Sequence, residues 1–205
     1  QMQNIKAIIF DLGGVLLNID FNKASTAFKE IGVTDIDEMY TQHTIVSLFK
    51  DLETGAINEQ DFYEEIKASS KNKISDEQIK DAWNALLLDF RKESIEELIR
   101  LKAKYRLFLL SNTNSIHLHA FNKIFETSII EGAFSDYFEK VYFSHEIDCR
   151  KPDAKAYEIV LKENNLKAEE TLFIDDSFVN IEGAKVVGLQ TILLTEGMMI
   201  EDLKL

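Results

Sequence analysis

A chain of 205 residues that is 45% hydrophobic is long enough to bury one large domain, or a core with a modest insertion, which excludes disorder and a simple coiled coil. Its 23 Lys and Arg against 36 Asp and Glu give a net charge of −13, so a basic surface for nucleic acid is not expected. A single cysteine cannot form an internal disulfide, no apolar stretch of the kind a secretory signal needs follows Gln1, and no run approaches the roughly 18 apolar residues of a membrane span, so a cytoplasmic protein without a membrane partner is expected.

Residues 5–10 (IKAIIF) are a nearly continuous apolar run that ends at Asp11, with Gly13 and Gly14 following, and they predict a buried strand entering a tight turn. Residues 21–31, 36–52, 58–69 and 76–90 carry helical periodicity almost without strand signals. Asn58 with Asp61 three residues on, and Ser75 with Gln78, have the pattern of helix N-caps, the second a capping box. From residue 92 the pattern alternates, with helices predicted at 92–104, 115–126, 152–164 and 179–187 and strands at 107–110, 140–143, 172–174 and 191–194. This order predicts an α/β fold: a Rossmann-like parallel sheet with helices on both faces, and a helical cap inserted after the first strand. The expected division is residues 1–16 and 91–205 as core and residues 17–90 as cap. Trp83 reads as an anchor of the cap core, Cys149 as packing, and Gly188 as a helix stop.

Parallel sheets place ligands at the carboxyl ends of their strands, and Asp11, Ser111, Asp175 and Asp176 all end predicted strands. Singly, each also reads as a turn or cap residue. Two adjacent carboxylates at a buried sheet edge, however, repel each other unless a cation neutralises them. Together these residues suit phosphoryl chemistry. Asp11 can attack phosphorus to form an acyl-phosphate, provided that charge repulsion is overcome; a Mg²⁺ held by Asp11, a backbone carbonyl and one of the paired aspartates would do so. The Ser111 hydroxyl and the Asn112 amide can hold phosphate oxygens, and Lys151 balances the charge of the transferring group. Pro152, the one proline of the chain, is expected to start a helix and to extend the Arg150 and Lys151 backbone so that the ammonium points toward Asp11.

Residues 10–16 (FDLGGVL), 110–113 (LSNT), 150–152 (RKP) and 173–176 (FIDD), with Asn180, Gly183 and Ala184, resemble the four ordered motifs of the haloacid dehalogenase-like (HAD-like) hydrolases. Separations of 100, 40 and 24 residues between Asp11, Ser111, Lys151 and Asp175 suit a member with its cap after the first motif. The resemblance implies that Asp11 is the nucleophile, that Ser111 and Asn112 hold phosphate, and that Lys151 stabilises it. It further implies Mg²⁺ as cofactor, bound by Asp11, the Gly13 carbonyl and the acidic pair. Asp176 is the expected direct ligand and Asp175 the group that orders Lys151 or a metal-bound water, although their order can be reversed. A small phosphorylated metabolite is the implied partner.

One position departs from the family. Its phosphatases usually carry a second Asp two residues after the nucleophile, as general acid and base, and here that position is Gly13. Asp20 and His117 are candidates for a substitute, against their ordinary readings as a helix N-cap and an exposed helix residue. A leaving group that is already acidic would need the acid least, as in an anomeric sugar phosphate. Residues 11–14 (DLGG), 18–21 (NIDF), 111–117 (SNTNSIH) and 175–184 (DDSFVNIEGA) are likewise similar to the bacterial glucose-1-phosphate phosphatase branch. Two alternatives stand beside phosphatase: a weak or inactive phosphate-binding regulatory protein, and a metal-independent haloacid dehalogenase.

Overall fold

The apolar run at the start of the chain becomes β1 (Ala7–Phe10), buried on both faces. The computed structural model describes residues 4–41 and 44–205; Gln1 to Gln3, in the predicted core, and Gln42 and His43, in the predicted 36–52 helix, lie outside them. After β1 come β2 (Leu17–Ile19), the helices α1 (Phe21–Glu30), α2 (Ile36–Met39), α3 (Ser47–Glu53), α4 (Glu59–Ser69) and α5 (Asp76–Asn84), and then β3 (Leu87–Phe90). The remainder alternates as α6 (Lys92–Lys102), β4 (Arg106–Ser111), α7 (Ser115–Glu126), β5 (Lys140–Phe143), α8 (Ser144–Ile147), α9 (Ala154–Glu163), β6 (Thr171–Asp175), α10 (Phe178–Val187) and β7 (Gln190–Leu193).

The five-stranded sheet is parallel, in the order β5-β4-β1-β6-β7. β1 lies at its centre, with Phe10 opposite Leu109 of β4 and Ile174 of β6, so the residues that follow these strands meet at one edge. Alternation along β1 sends Ile8 and Phe10 into one apolar cluster and Ala7 and Ile9 into the other, which gives the sheet a core on each face. This is the Rossmann-like α/β architecture expected from the sequence.

The helices between β2 and β3 have a third apolar cluster of their own. Trp83 stands at its centre, 1% exposed, with the rings of Phe28, Tyr40, Phe49 and Phe62 around it at centroid distances of 4.7 to 6.2 Å. Asn58 and Ser75 cap α4 and α5, each in a complete capping box. Ile116 of α7 also enters this cluster, so the helices rest on the beginning of a core helix.

Three predicted elements come out differently. The helix expected over 76–90 stops at Asn84, and residues 87–90 instead pair antiparallel with β2 as a two-stranded ribbon. Leu86, Leu87 and Phe90 satisfy a helical spacing and a strand equally, and the partner strand decides between them. The helix expected over 36–52 is two short helices, because Tyr40 is extended and bridges to Ile45 while its ring packs against Phe49 and Trp83. Pro152 does not start α9; it lies in the preceding turn, joined to Lys151 by a cis peptide, and Asp153 is the cap residue.

Candidate active site

Asp11 follows β1, Ser111 ends β4 and Asp175 ends β6, so the sheet alone brings a carboxylate, a hydroxyl and a second carboxylate to one edge. Lys151 arrives from the loop between α8 and α9. The Asn112 amide holds that loop by both its ends: Nδ2 donates to the Lys151 carbonyl at 2.9 Å, and Oδ1 accepts from the Lys151 N–H at 2.9 Å. Since the side chain is committed in this way, only the backbone of Asn112 is left to face a phosphate. The segment after Ser111 is fixed through Ser144, whose hydroxyl accepts from Thr113 N–H and donates to the Thr113 carbonyl.

The Lys151 side chain is fully buried, and its Nζ donates to Asp11 Oδ1 at 2.9 Å and to Asp175 Oδ2 at 2.8 Å. Asp175 also accepts from the Ser177 N–H at 2.9 Å and from Asn180 Nδ2 at 3.2 Å. Both of its oxygens are therefore engaged. Burial alone would drive the ammonium toward its neutral form, but Asp11 and Asp175 outweigh burial and raise the Lys151 pKa. Burial, and then repulsion from Asp175, raises the Asp11 carboxyl well above its ordinary value, Lys151 offsetting part of the rise. Asp176 is pushed up to about 6 by burial and by Asp175.

These shifts describe a cluster with more negative charge than one ammonium balances. Asp11, Asp175 and Asp176 each bring an oxygen within 4.8 Å of the others. A hard divalent cation, which takes oxygen ligands, fits that donor set. Asp176 lines the cavity, whereas Asp175 is wholly enclosed. Gly14 permits the approach: its φ is +80°, and a Cβ there would collide with Asp176 Oδ2. The Gly-Gly doublet after Asp11 predicts the tight turn, but not that Gly14 makes room for Asp176.

Gly13 faces the same cavity, with room for a side chain limited by Ile19, whose Cδ1 would be 3.0 Å from an added Cβ. The two candidates for a substitute acid both hold structural positions. The Asp20 carboxylate caps α1 by accepting from Asn22 N–H at 2.9 Å. His117 is not the exposed helix residue of its ordinary reading: it is buried beneath Trp83, with ring centroids 4.3 Å apart, its Nε2 against the Trp83 carbonyl at 3.1 Å and its Nδ1 against Asn114 Nδ2 at 3.3 Å. Burial lowers its pKa to about 4. Burial favours the neutral ring, and both of its nitrogens are already engaged, by Trp83 and by Asn114.

Over the cluster lies a cavity of about 650 Å³, roofed by the helices between β2 and β3 through Phe21, Tyr40, Thr41, Thr44, Ile45 and Glu53. Arg150 lines it too, bound to Glu53 through Nε at 3.1 Å. Arg150 stands in the RKP motif, but nothing in the sequence marks Glu53 or pairs it with a residue 97 positions away.

A carboxylate held by an ammonium at the carboxyl edge of a parallel sheet, beneath inserted helices, defines a capped α/β hydrolase. The chain belongs to the haloacid dehalogenase-like hydrolases, whose family model matches residues 5–188. It is 30% identical to D-ribitol-5-phosphate phosphatase of Bacteroides thetaiotaomicron over 91% of this chain and 90% of that protein. Sesquiterpene phosphatase of Aspergillus oryzae is 27% identical over 94% of this chain and 91% of its own. Among solved structures, a haloacid dehalogenase family enzyme of B. thetaiotaomicron, crystallised as a mutant with magnesium and inorganic phosphate, superposes with a TM-score of 0.92 at 34% identity, covering 98% of this chain and 99% of that one. An L-2-haloacid dehalogenase of Xanthobacter autotrophicus, 17% identical with a TM-score of 0.59, shares the fold, covering 91% of this chain and 76% of its own.

Two predictions follow from Gly13 and His117. Gly13→Asp alone is expected to crowd Ile19; combining it with Ile19→Val, which removes Cδ1, is expected to raise turnover of a primary phosphate ester at least about 10-fold over the single variant. Phosphate release checks this, and no gain in the double variant removes the missing acid as the limit on rate. The pKa of His117 is lowered on folding, so its stabilising contribution is present above the unfolded value near 6.5 and is lost as pH falls toward 4. Between pH 7 and pH 4.5 the wild-type protein is expected to lose about 2 kcal/mol more unfolding free energy than His117→Gln, as read by urea titration.

Proposed function

We propose that the protein is a Mg²⁺-dependent cytoplasmic phosphatase that hydrolyses a small sugar or polyol phosphate through an aspartyl-phosphate on Asp11. The observation that carries this reading is the Lys151 ammonium shared between Asp11 and Asp175 at the floor of a closed-over cavity. Lys151 holds Asp11 Oδ1 and leaves Oδ2 to attack phosphorus. The new bond joins Oδ2 to phosphorus, and the bond from phosphorus to the ester oxygen breaks. The Ser111 hydroxyl and the Asn112 N–H hold the non-bridging oxygens, while Lys151 balances charge on the transferring group. The departing ester oxygen takes its proton from solvent; water then attacks phosphorus, the bond from Oδ2 to phosphorus breaks, and inorganic phosphate leaves with the water's protons as Asp11 returns to a carboxylate.

Asp11, the Gly13 carbonyl and Asp176 would hold the Mg²⁺, with Asp175 fixing Lys151 from behind. Mg²⁺ supplies charge neutralisation, so that an anionic nucleophile can meet an anionic phosphate. Because Gly13 provides no acid, esters with an acidic leaving oxygen are favoured, and glucose 1-phosphate is the first candidate among sugars. The relative named for D-ribitol 5-phosphate makes a primary polyol ester the natural comparison.

The test is phosphate release from glucose 1-phosphate, ribitol 5-phosphate, farnesyl phosphate and phenyl phosphate, with Mg²⁺, with chelator, and with Asp11→Asn. Hydrolysis that needs Mg²⁺ and falls by at least about 10⁴-fold in Asp11→Asn is expected, together with a rise in melting temperature on adding Mg²⁺. Activity that survives both chelator and Asp11→Asn overturns the mechanism. Retained phosphate binding without turnover of any ester selects the regulatory alternative, and chelator-resistant release of halide from 2-chloropropionate selects the dehalogenase. Faster hydrolysis of ribitol 5-phosphate than of glucose 1-phosphate sinks the idea that the missing acid sets substrate choice.

A further inference from the structure

Glu53 ends α3, in the roof of the cavity, and Arg150 stands immediately before Lys151 in its floor. Glu53 is 6% exposed, and its Oε2 accepts from Arg150 Nε at 3.1 Å. Removing a carboxylate and a guanidinium from water is costly, and two apolar residues would hold the roof to the core at least as well. The roof also has a second attachment, at the beginning of α7, where the Ser115 hydroxyl donates to Glu59 Oε2 at 2.7 Å and His117 lies under Trp83. Holding the fold together therefore leaves this ion pair unexplained.

Both residues line the substrate space. Among the described residues, no protein group accepts from Nη1 or Nη2 of Arg150, and none donates to Glu53 Oε1. The nearby surfaces of Phe21, Ile45, Leu86 and Leu87 are apolar, so the pair is the charged feature of an otherwise largely greasy roof. Because the two charges cancel, the pair does not call for a second anion on the ligand. A carboxylate that accepts beside a guanidinium that donates is instead complementary to hydroxyl groups, which do both.

We propose that the Glu53 and Arg150 pair is the specificity determinant of the cavity, hydrogen-bonding the hydroxyl groups of a sugar or polyol phosphate while Asp11 engages its phosphate. The assignment rests on the phosphatase reading and adds how the leaving group is chosen. A site built to bond a hydroxyl discriminates strongly against a ligand without one, since its desolvated groups are then left unpaired.

The experiment compares kcat/KM of the Mg²⁺-loaded enzyme on ribitol 5-phosphate and glucose 1-phosphate with kcat/KM on phenyl phosphate, for wild type, Glu53→Ala, Glu53→Gln and Arg150→Lys. The ratio of hydroxylated to hydroxyl-free substrate is expected to fall at least about 10-fold in Glu53→Ala and Arg150→Lys, mainly through KM, and by less in Glu53→Gln, which keeps the shape and one acceptor. If Glu53→Ala does not fold, Arg150→Lys and Glu53→Gln read the same ratio. An unchanged ratio overturns the proposal, whether both substrates lose equally, as a pair that only holds the roof or positions Lys151 would require, or neither loses. Wild-type enzyme inert on every ester overturns the phosphatase reading and this assignment together, whereas active enzyme with an unchanged ratio overturns this assignment alone.

Discussion

The Lys151 ammonium has no surface in contact with water, and the rest of the site is arranged around that fact. A buried ammonium is tolerated only where acceptors replace its hydration, and here two carboxylates do so from adjacent strands. Their adjacency requires β1 to lie beside β6. The approach of the lysine from a third direction requires the loop before α9 to be tied down, which the Asn112 amide does through both Lys151 backbone groups. Gly183 of α10 completes the constraint, since a Cβ there would lie 2.6 Å from the Pro152 carbonyl. One charge thus fixes a strand order, a loop and the packing of a helix.

The same charge shows why the overall balance of −13 says little about the ligand. An anionic protein that takes an anionic substrate must create attraction locally, over distances shorter than the screening length of roughly 8 Å at physiological salt. Lys151 is committed to two carboxylates, Arg150 to Glu53, and the acidic pair carries further negative charge. The protein side chains around the cluster therefore leave it net negative, and a divalent cation is the charge that would reverse its sign. Asp176 lines the cavity and, on the proposed function, would be the ligand that meets that cation most directly.

Much of the fold could be read from the sequence because periodicity and strand-end chemistry agree. The apolar runs that end in Asp11, Ser111 and Asp175 carry their meaning locally, so their order along the chain already describes a sheet edge. The parts that could not be read depend on distant partners. β3 is a strand because β2 is there to pair with it, and the spacing of Leu86, Leu87 and Phe90 does not exclude a helix. Tyr40 breaks a helix because Phe49 and Trp83 give its ring a better place. Glu53 resembles any other acidic residue on a helix until the fold brings Arg150 to it. The two candidates for a missing acid, Asp20 and His117, were visible as residue types, but only their surroundings show the first capping a helix and the second held neutral under an indole.

The two attachments of the roof join the core beside Asn112 and Lys151, the groups proposed to meet phosphate. One begins at Ser115 to His117, directly after the Ser111 and Asn112 segment; the other is Arg150, the neighbour of Lys151. The helices between β2 and β3 are thus tied both to the segment after Asn112 and to the lysine loop. On the proposed function, these helices have two physical tasks: enclosing the leaving group away from bulk water, and aligning the floor beneath it. A ligand that satisfies the roof through its hydroxyls would then also draw together the backbone at Asn112 and the ammonium at Lys151.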